Sequence, residues 1–196
     1  MSSSGSILQG RTLSEYISPL LRADAKTYTT ATEFIERNAT FFTAKLDRPP
    51  YTFTSTTNDS SSTPTVPMQA LHIAAAALTL VPPAHWSMEI HRMNITSYDG
   101  SDSVVISENS NSPVATDKIF KKELYHYLRW ALSASAPGPG IPETMEILGR
   151  DETLRRIQDA KALTQDMVPS VGRRVPKSSA SENDDRSWMG SLAPGQ

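Results

Sequence analysis

No cysteine occurs among the 196 residues. That excludes a disulfide scaffold, thiolate zinc sites, iron–sulfur clusters and cysteine nucleophiles. A surplus of positive charge is missing too: the formal net charge is −2 and the isoelectric point about 6.1. A globally basic nucleic-acid binder is thereby excluded, and any RNA contact would have to come from a local basic face. Long apolar runs are absent. The longest, Ala70 to Val81, has 12 residues and contains His72 and Thr79, far short of the ~20 that span a bilayer. Met1 to Ser6 has neither a charged n-region nor an apolar h-region, so no secretory signal is expected. No GxGxxG, GxxxxGK[ST], HExxH or GxSxG pattern is present, which removes the motif evidence for dinucleotide folds, P-loops, zincins and nucleophile elbows. A TIM barrel would need roughly 250 residues.

What is present suffices for one domain. Hydrophobic residues make up 38% of the chain and charged residues 20%, and a chain of this length can bury about two-thirds of its unfolded surface. The charges are spread unevenly. Residues 56–117 carry one Arg against 6 Asp/Glu, whereas residues 118–163 carry 8 Lys/Arg against 6 Asp/Glu. The most basic block of an acidic chain is therefore 118–163. Thr54 to Pro67 reads TSTTNDSSSTPTVP, and from Met167 the chain is rich in Pro, Ser and Gly. Neither stretch buries enough apolar surface to offset its ordering entropy. The expected organisation is a flexible N-terminus at 1–10, a helical domain at 11–163 with a loop insertion at 54–67, and a disordered tail at 164–196 that includes Trp188.

Helical periodicity dominates the domain. Thr12 or Ser14 caps a helix bearing Tyr16, Ile17, Leu20 and Leu21, which Pro19 makes short or kinked. Thr30 to Leu46 carries Ala31, Phe34, Phe41, Phe42 and Leu46 at helical spacing and ends at Asp47-Arg-Pro-Pro. Met68 to Val81 is apolar on most faces, as a buried helix is, and Pro82-Pro83 stops it. Trp86, Ile90 and Met93 predict a further short helix before a Tyr98-Asp-Gly turn. Val104-Val-Ile is strand-like but has no evident partner. Thr116 or Asp117 caps a helix with Phe120, Leu124, Tyr127, Leu128 and Ala131 on one stripe. Lys118, Lys121, Lys122, Tyr125 and Arg129 project elsewhere. Ala136-Pro-Gly-Pro-Gly is a loop. Ile141-Pro142 opens a helix that Gly149 ends. Asp151 caps a last helix with Leu154, Ile157 and Ala160 inward and Arg155 and Arg156 outward. The expected fold class is all-α: a compact bundle or cage of about six helices.

Catalytic chemistry finds little support. His72, His85, His91 and His126 share no metal-ligand spacing. The acids Glu143, Glu146, Asp151 and Glu152 sit in first helical turns, where the helix dipole accounts for them. The cationic set Lys118, Lys121, Lys122, Arg129, Arg150, Arg155 and Arg156 is read first as solvated helix faces. Arg129 and Arg150, however, adjoin Gly or Pro loops, and a guanidinium there can stack on or bond a splayed RNA base.

LRWALS at 128–133, followed by PGPGIPETMEILGRDETLRRI at 137–157, resembles the C-terminal end of glutamyl-tRNA synthetases. That family has an LRxALTG stretch, a short loop with Pro-Gly and an apolar residue, then E-I-x-x-L-G-[KR]-x-x-x-L-x-R-[LI]. FIERNATFF at 34–42, with Pro-Tyr after it, resembles the segment that opens the family's helical anticodon-binding region. The resemblance spans about residues 10–163 and is to the organellar or bacterial type. Thr-rich insertions point to a fungal version. Where the family has LTG, this chain has Leu132-Ser133-Ala134, so the Gly is lost. The HIGH-like and KMSKS-like catalytic motifs are absent.

The resemblance implies the anticodon-binding half alone, from a fragment, a split gene or a free-standing paralogue. It implies a recognition function with no catalytic residue and no metal site in this chain. ATP and Mg would belong to the family's missing catalytic domain. Arg129 falls on the family's anticodon-contacting Arg. Pro139, Gly140 and Ile141 fall on the loop that packs against an anticodon base, with Gly138 before it. Lys118, Lys121, Lys122, Arg155 and Arg156 would meet phosphates, and Arg150 completes the expected tRNA-binding set. The implied partner is tRNA, tRNA-Glu by resemblance, with a separate catalytic half as a further partner. No membrane contact is expected, the protein is expected to be a monomer, and the location is mitochondrial by resemblance or otherwise cytoplasmic. The alternative is a helical protein-interaction module derived from that domain, without RNA binding.

Overall fold

The computed structural model describes residues 7–52, 66–97 and 117–167. Among these residues all regular structure is helical. The α-helices are α1 (Leu13–Asp24), α2 (Ala31–Arg37), α3 (Ala39–Phe42), α4 (Met68–Leu78), α5 (Met88–Ser97), α6 (Asp117–Ser133), α7 (Ile141–Leu148) and α8 (Arg150–Leu163). Short 3₁₀ turns occupy Pro83–His85 and Gln165–Met167. Eight helices thus stand where about six were expected. The Tyr98 turn, the Val104 run, Trp188 and most of the 54–67 loop and the tail lie outside the described residues.

The longest helix, α6, is the centre, with α4, α7 and α8 packed on it. Phe120, Leu124, Tyr127, Leu128 and Ala131 form its buried stripe, as the 3.6-residue period requires. They meet Leu71, Ala74, Ala75 and Leu78 of α4, Ile141, Met145 and Leu148 of α7, and Ile157 and Ala160 of α8 in one cluster. Tyr16 and Leu20 of α1 complete it, with Phe34 and Phe41. Both described tryptophans bind main chain. Trp130 Nε1 donates to the Pro49 carbonyl at 2.7 Å, and Trp86 Nε1 donates to the Met145 carbonyl at 2.9 Å. Each bond satisfies the polar edge of a ring that packs on the core.

Several boundaries differ from expectation. Thr12 caps α1 in a reciprocal capping box with Glu15, and α1 runs through Pro19 to Asp24. The expected Thr30–Leu46 helix is two pieces broken at Asn38. The Asn38 amide nitrogen bonds the Asp24 carboxylate and the Phe34 carbonyl, an example of a short polar side chain competing with the helix ladder. The helix from Met68 ends at Leu78. In α5 the buried residue is His91, while Met93 is exposed. Gly149, at φ 78°, ends α7 and also precedes α8, so Asp151 sits in the first turn of α8 and is not its cap. The chain stays packed past residue 163, because the Thr164 hydroxyl pairs with His72 Nε2 at 2.7 Å. Residues 7–10 are part of the fold as well. Ile7 and Leu8 pack against the core. Gln9 and Arg11 bond the terminal carbonyls of α7: Arg11 Nη1 to Ile147 at 2.8 Å, and Arg11 Nη2 and Gln9 Nε2 to Leu148 at 3.2 Å each.

The largest correction concerns Arg156, expected on the outer face of α8. It is 1% exposed. Its guanidinium donates to Glu152 Oε1 at 2.7 Å, the Leu132 carbonyl at 2.6 Å, the Thr40 carbonyl at 2.8 Å and the Thr43 carbonyl at 3.2 Å. The accepting carbonyls lie in the last turn of α6, in α3 and at the Thr43 cap that follows it, where helices leave carbonyls without internal partners. Burial pushes the Glu152 carboxyl up, but the hydrogen bonds and charges of Arg155 and Arg156 outweigh it and hold it below its ordinary range. Arg156→Met keeps the stem and removes the donors. It should cost ~3–5 kcal/mol, as a broken buried ion pair does, read as a fall in the urea midpoint. A loss below about 1 kcal/mol would show that the carbonyls find other donors.

His91 is 1% exposed, and neither ring nitrogen has a hydrogen-bond partner. Its ring stands on Trp86 at 4.3 Å between centroids. Burial lowers its pKa from 6.5 to about 4. The unfolded chain therefore binds this proton more readily, and stability present above pH 6.5 falls as the pH drops towards 4. Between pH 7.5 and 5 the loss should be about 2 kcal/mol by urea unfolding. His91→Phe should remove it, leaving the contribution of His72, whose pKa burial also lowers. A slope unchanged in His91→Phe would assign the proton uptake to another group.

Candidate functional site

The face of α6 opposite the core is a single stripe. Lys118, Lys122, Tyr125 and Arg129 are spaced i, i+4, i+7 and i+11, which places them within about 60° of one another around the axis and along roughly 16 Å of it. Lys118 and Lys122 are exposed. Tyr125 is 43% exposed. Lys121 flanks the stripe, and its ammonium donates to the Thr96 carbonyl of α5 at 3.2 Å. At its C-terminal end the stripe reaches Arg129, half-buried, and the loop that joins α6 to α7.

That loop is tightly built. Arg129 Nη1 donates to the Pro139 carbonyl at 2.7 Å. The Thr144 hydroxyl reaches the same carbonyl at 3.3 Å, and the Thr144 amide bonds the Gly140 carbonyl at 2.8 Å to start α7. Gly138 is half-buried over Phe41 and Asn38, with φ 151°. Ala134 and Ser135 hold positive φ values of 52° and 65°, a region that costs a residue with a Cβ roughly 1–2 kcal/mol.

The expected site residues separate into groups. Lys118, Lys121, Lys122, Arg129, Gly138 and Gly140 lie along the stripe or in the loop. Pro139 and Ile141 were expected to offer apolar atoms to a base, but both side chains are buried, Ile141 at 1% exposure in the central cluster. Backbone at Gly138–Gly140 and the exposed Pro137 are what the loop presents. Arg155 is half-buried, and its guanidinium is committed to Glu152, Asp159 and the Ala44 carbonyl. Arg156 is buried, as described, and faces no solvent. Arg150 lies away from the loop, beside Asp151 at 3.9 Å. It lines a shallow cleft of about 410 Å³ with Gln9, Arg11, Pro83, Trp86, Gly149 and Asp151. Among the described residues no cluster of metal-ligating side chains exists and no helix is long and apolar enough to cross a membrane.

Residues 102–161 match the family model of an anticodon binding domain. No curated protein and no solved structure matches the chain. The matched stretch is under a third of the 196 residues. Its described part contains α6, the strained loop, α7 and nearly all of α8, so the stripe and the loop both fall inside the region similar to an anticodon binding domain.

Tyr125 is the residue that sequence reasoning left out of the site. The available signal was its position between Lys122 and Arg129 on one helical stripe. Exposed aromatics among cations are how single-stranded nucleic acid is stacked and held. The loop also explains the lost Gly of the LRxALTG resemblance. Ala134 occupies that position and adopts the left-handed backbone that Gly takes without a steric penalty. Ala134→Gly should raise stability by up to about 1 kcal/mol, measured by thermal or urea unfolding. A destabilisation would mean that the Ala134 methyl packs more usefully than its backbone strains.

Proposed function

We propose that this protein binds the anticodon region of a tRNA, as the anticodon-binding part of a glutamyl-tRNA synthetase. The observation that carries the reading is that the match to an anticodon binding domain coincides with a solvent-facing stripe of cations and an aromatic running into a rigid Pro-Gly loop. In this mechanism no bond is made or broken. Lys118, Lys121 and Lys122 neutralise backbone phosphates. An unpaired base stacks on Tyr125. A second base lies against the Pro137–Gly140 backbone, where the small residues allow close approach. The glutamyl assignment and the tRNA-Glu partner rest on the likeness of LRWALS and the 137–157 run to that family.

Binding of tRNA transcripts, titrated over a range of salt concentrations, tests the reading. Lys118→Ala and Lys122→Ala should each lower the salt slope by about one unit, the signature of one lost phosphate contact. Tyr125→Ala should cost roughly 1–3 kcal/mol of affinity with the slope unchanged, and Tyr125→Phe should retain most of it, because stacking needs the ring and not the hydroxyl. A tRNA altered at the anticodon should bind more weakly than its parent. Preference for tRNA-Glu over other tRNAs tests the glutamyl assignment separately. No salt-dependent binding to any tRNA would remove the proposal and leave the protein-interaction module.

A further inference from the structure

Residue 129 is bonded to both ends of the loop between α6 and α7. At the entry, its main-chain carbonyl accepts the Ser133 hydroxyl at 2.9 Å and the Ser135 amide at 3.3 Å. At the exit, its guanidinium donates to the Pro139 carbonyl at 2.7 Å. Between these points lie Ala134 and Ser135, both in the left-handed region, and Gly138. Non-glycine residues persist in that region only where their surroundings over-determine the backbone. Backbone bonds from Ala134 to Trp130, from Ser135 to residue 129 and from Ala136 to Ser133 hold the entry. At the exit Pro139 has no amide donor, and its carbonyl is held by the Arg129 and Thr144 side chains.

We propose that Arg129 is a positioning residue: it holds the 134–140 loop in the shape that meets an unpaired base and does not itself read the base. The proposal rests on the reading of this loop as part of an RNA-binding surface. The geometry favours it in a specific way. A guanidinium reads a base edge through two parallel donors in one plane. Here Nη1 is committed to a main-chain carbonyl, which offers the same acceptor whatever the RNA sequence, so the guanidinium is tied to the loop backbone and only its Nε–Nη2 edge remains. A single carbonyl also needs only one donor, so an ammonium at this position can replace the guanidinium, whereas a bidentate base contact would not tolerate the exchange.

The test compares Arg129→Ala and Arg129→Lys with the unaltered protein in two measurements. The first is amide hydrogen exchange of the free protein at Ser135, Ala136 and Thr144, whose amides are bonded at the two ends of the loop. The second is affinity for a tRNA with an intact or an altered anticodon. In Arg129→Ala, exchange at these three amides should quicken by about tenfold or more, while the Leu124 and Leu128 amides in mid-α6 stay protected. Affinity for the intact tRNA should fall by about tenfold with an unchanged salt slope. Arg129→Lys should restore both to within a few fold. Unchanged exchange in Arg129→Ala with a lost anticodon preference would overturn the proposal and make Arg129 a direct reader. Lysine that restores loop protection but not affinity would overturn it equally. A loosened loop with unchanged tRNA affinity would also sink it, while the Lys118 and Lys122 salt slopes would still support tRNA binding. Failure of the unaltered protein to bind tRNA would defeat the functional reading itself and is visible before any variant is made.

Discussion

A buried guanidinium organises the helix ends of this protein. Arg156 bridges the last turns of α6 and α3 and is neutralised by Glu152 one turn away. Helix termini leave carbonyls that must find donors, and in a protein with many short helices there are many such ends. One Arg inserted where the ends of two helices converge supplies donors to both, which water does at an exposed end. Arg48 extends the pattern. Its side chain donates to the Ala131 carbonyl at 3.0 Å and to the Arg156 carbonyl at 3.4 Å. The cost is desolvation of a charge, and the compensation is donors supplied to the Leu132 carbonyl and to the carbonyls at the end of α3.

The helical class and the position of α6, α7 and α8 were legible in the sequence because their apolar residues recur at the helical period and Gly149 and Pro142 mark boundaries. What escaped was the burial of charge. Arg156 lies on the same arc of α8 as Glu152, Thr153, Ile157 and Ala160, yet a rule that turns charged residues outward assigns it to solvent. The Glu152–Arg156 spacing of four was the available hint, since opposite charges on the apolar arc of a helix form a pair able to enter a core. Asn38 and His91 escaped for the same reason. Both are polar residues inside, one breaking a helix by its own hydrogen bonds and the other occupying a core position through its ring.

The candidate surface was legible in part. Lys118, Lys121, Lys122 and the Pro-Gly loop lie on it, within the stretch that matches the family model, whereas Arg150, Arg155 and Arg156 of the same basic block lie off it. The assignment of individual side chains depended on three-dimensional partners that spacing does not reveal. Arg155 and Arg156 read as free cations, but intramolecular acceptors consume their donors. Ile141 follows an exposed loop yet points into the core. Tyr125 shows the converse: a residue passed over as a flank becomes prominent once the stripe on which it stands is seen to be continuous.

The carbonyls that end α7 are met by Gln9 and Arg11, across sequence separations of 136 to 139 residues. During synthesis those two side chains leave the ribosome well before their acceptors do. At about 5–20 residues per second, the gap amounts to roughly 7–30 s. For that interval Gln9 and Arg11 have no α7 to close on, and α1 has only part of the surface it packs against. The closure between segments so far apart in sequence therefore waits on α7, and the turn at Gly149 is finished by residues made long before it.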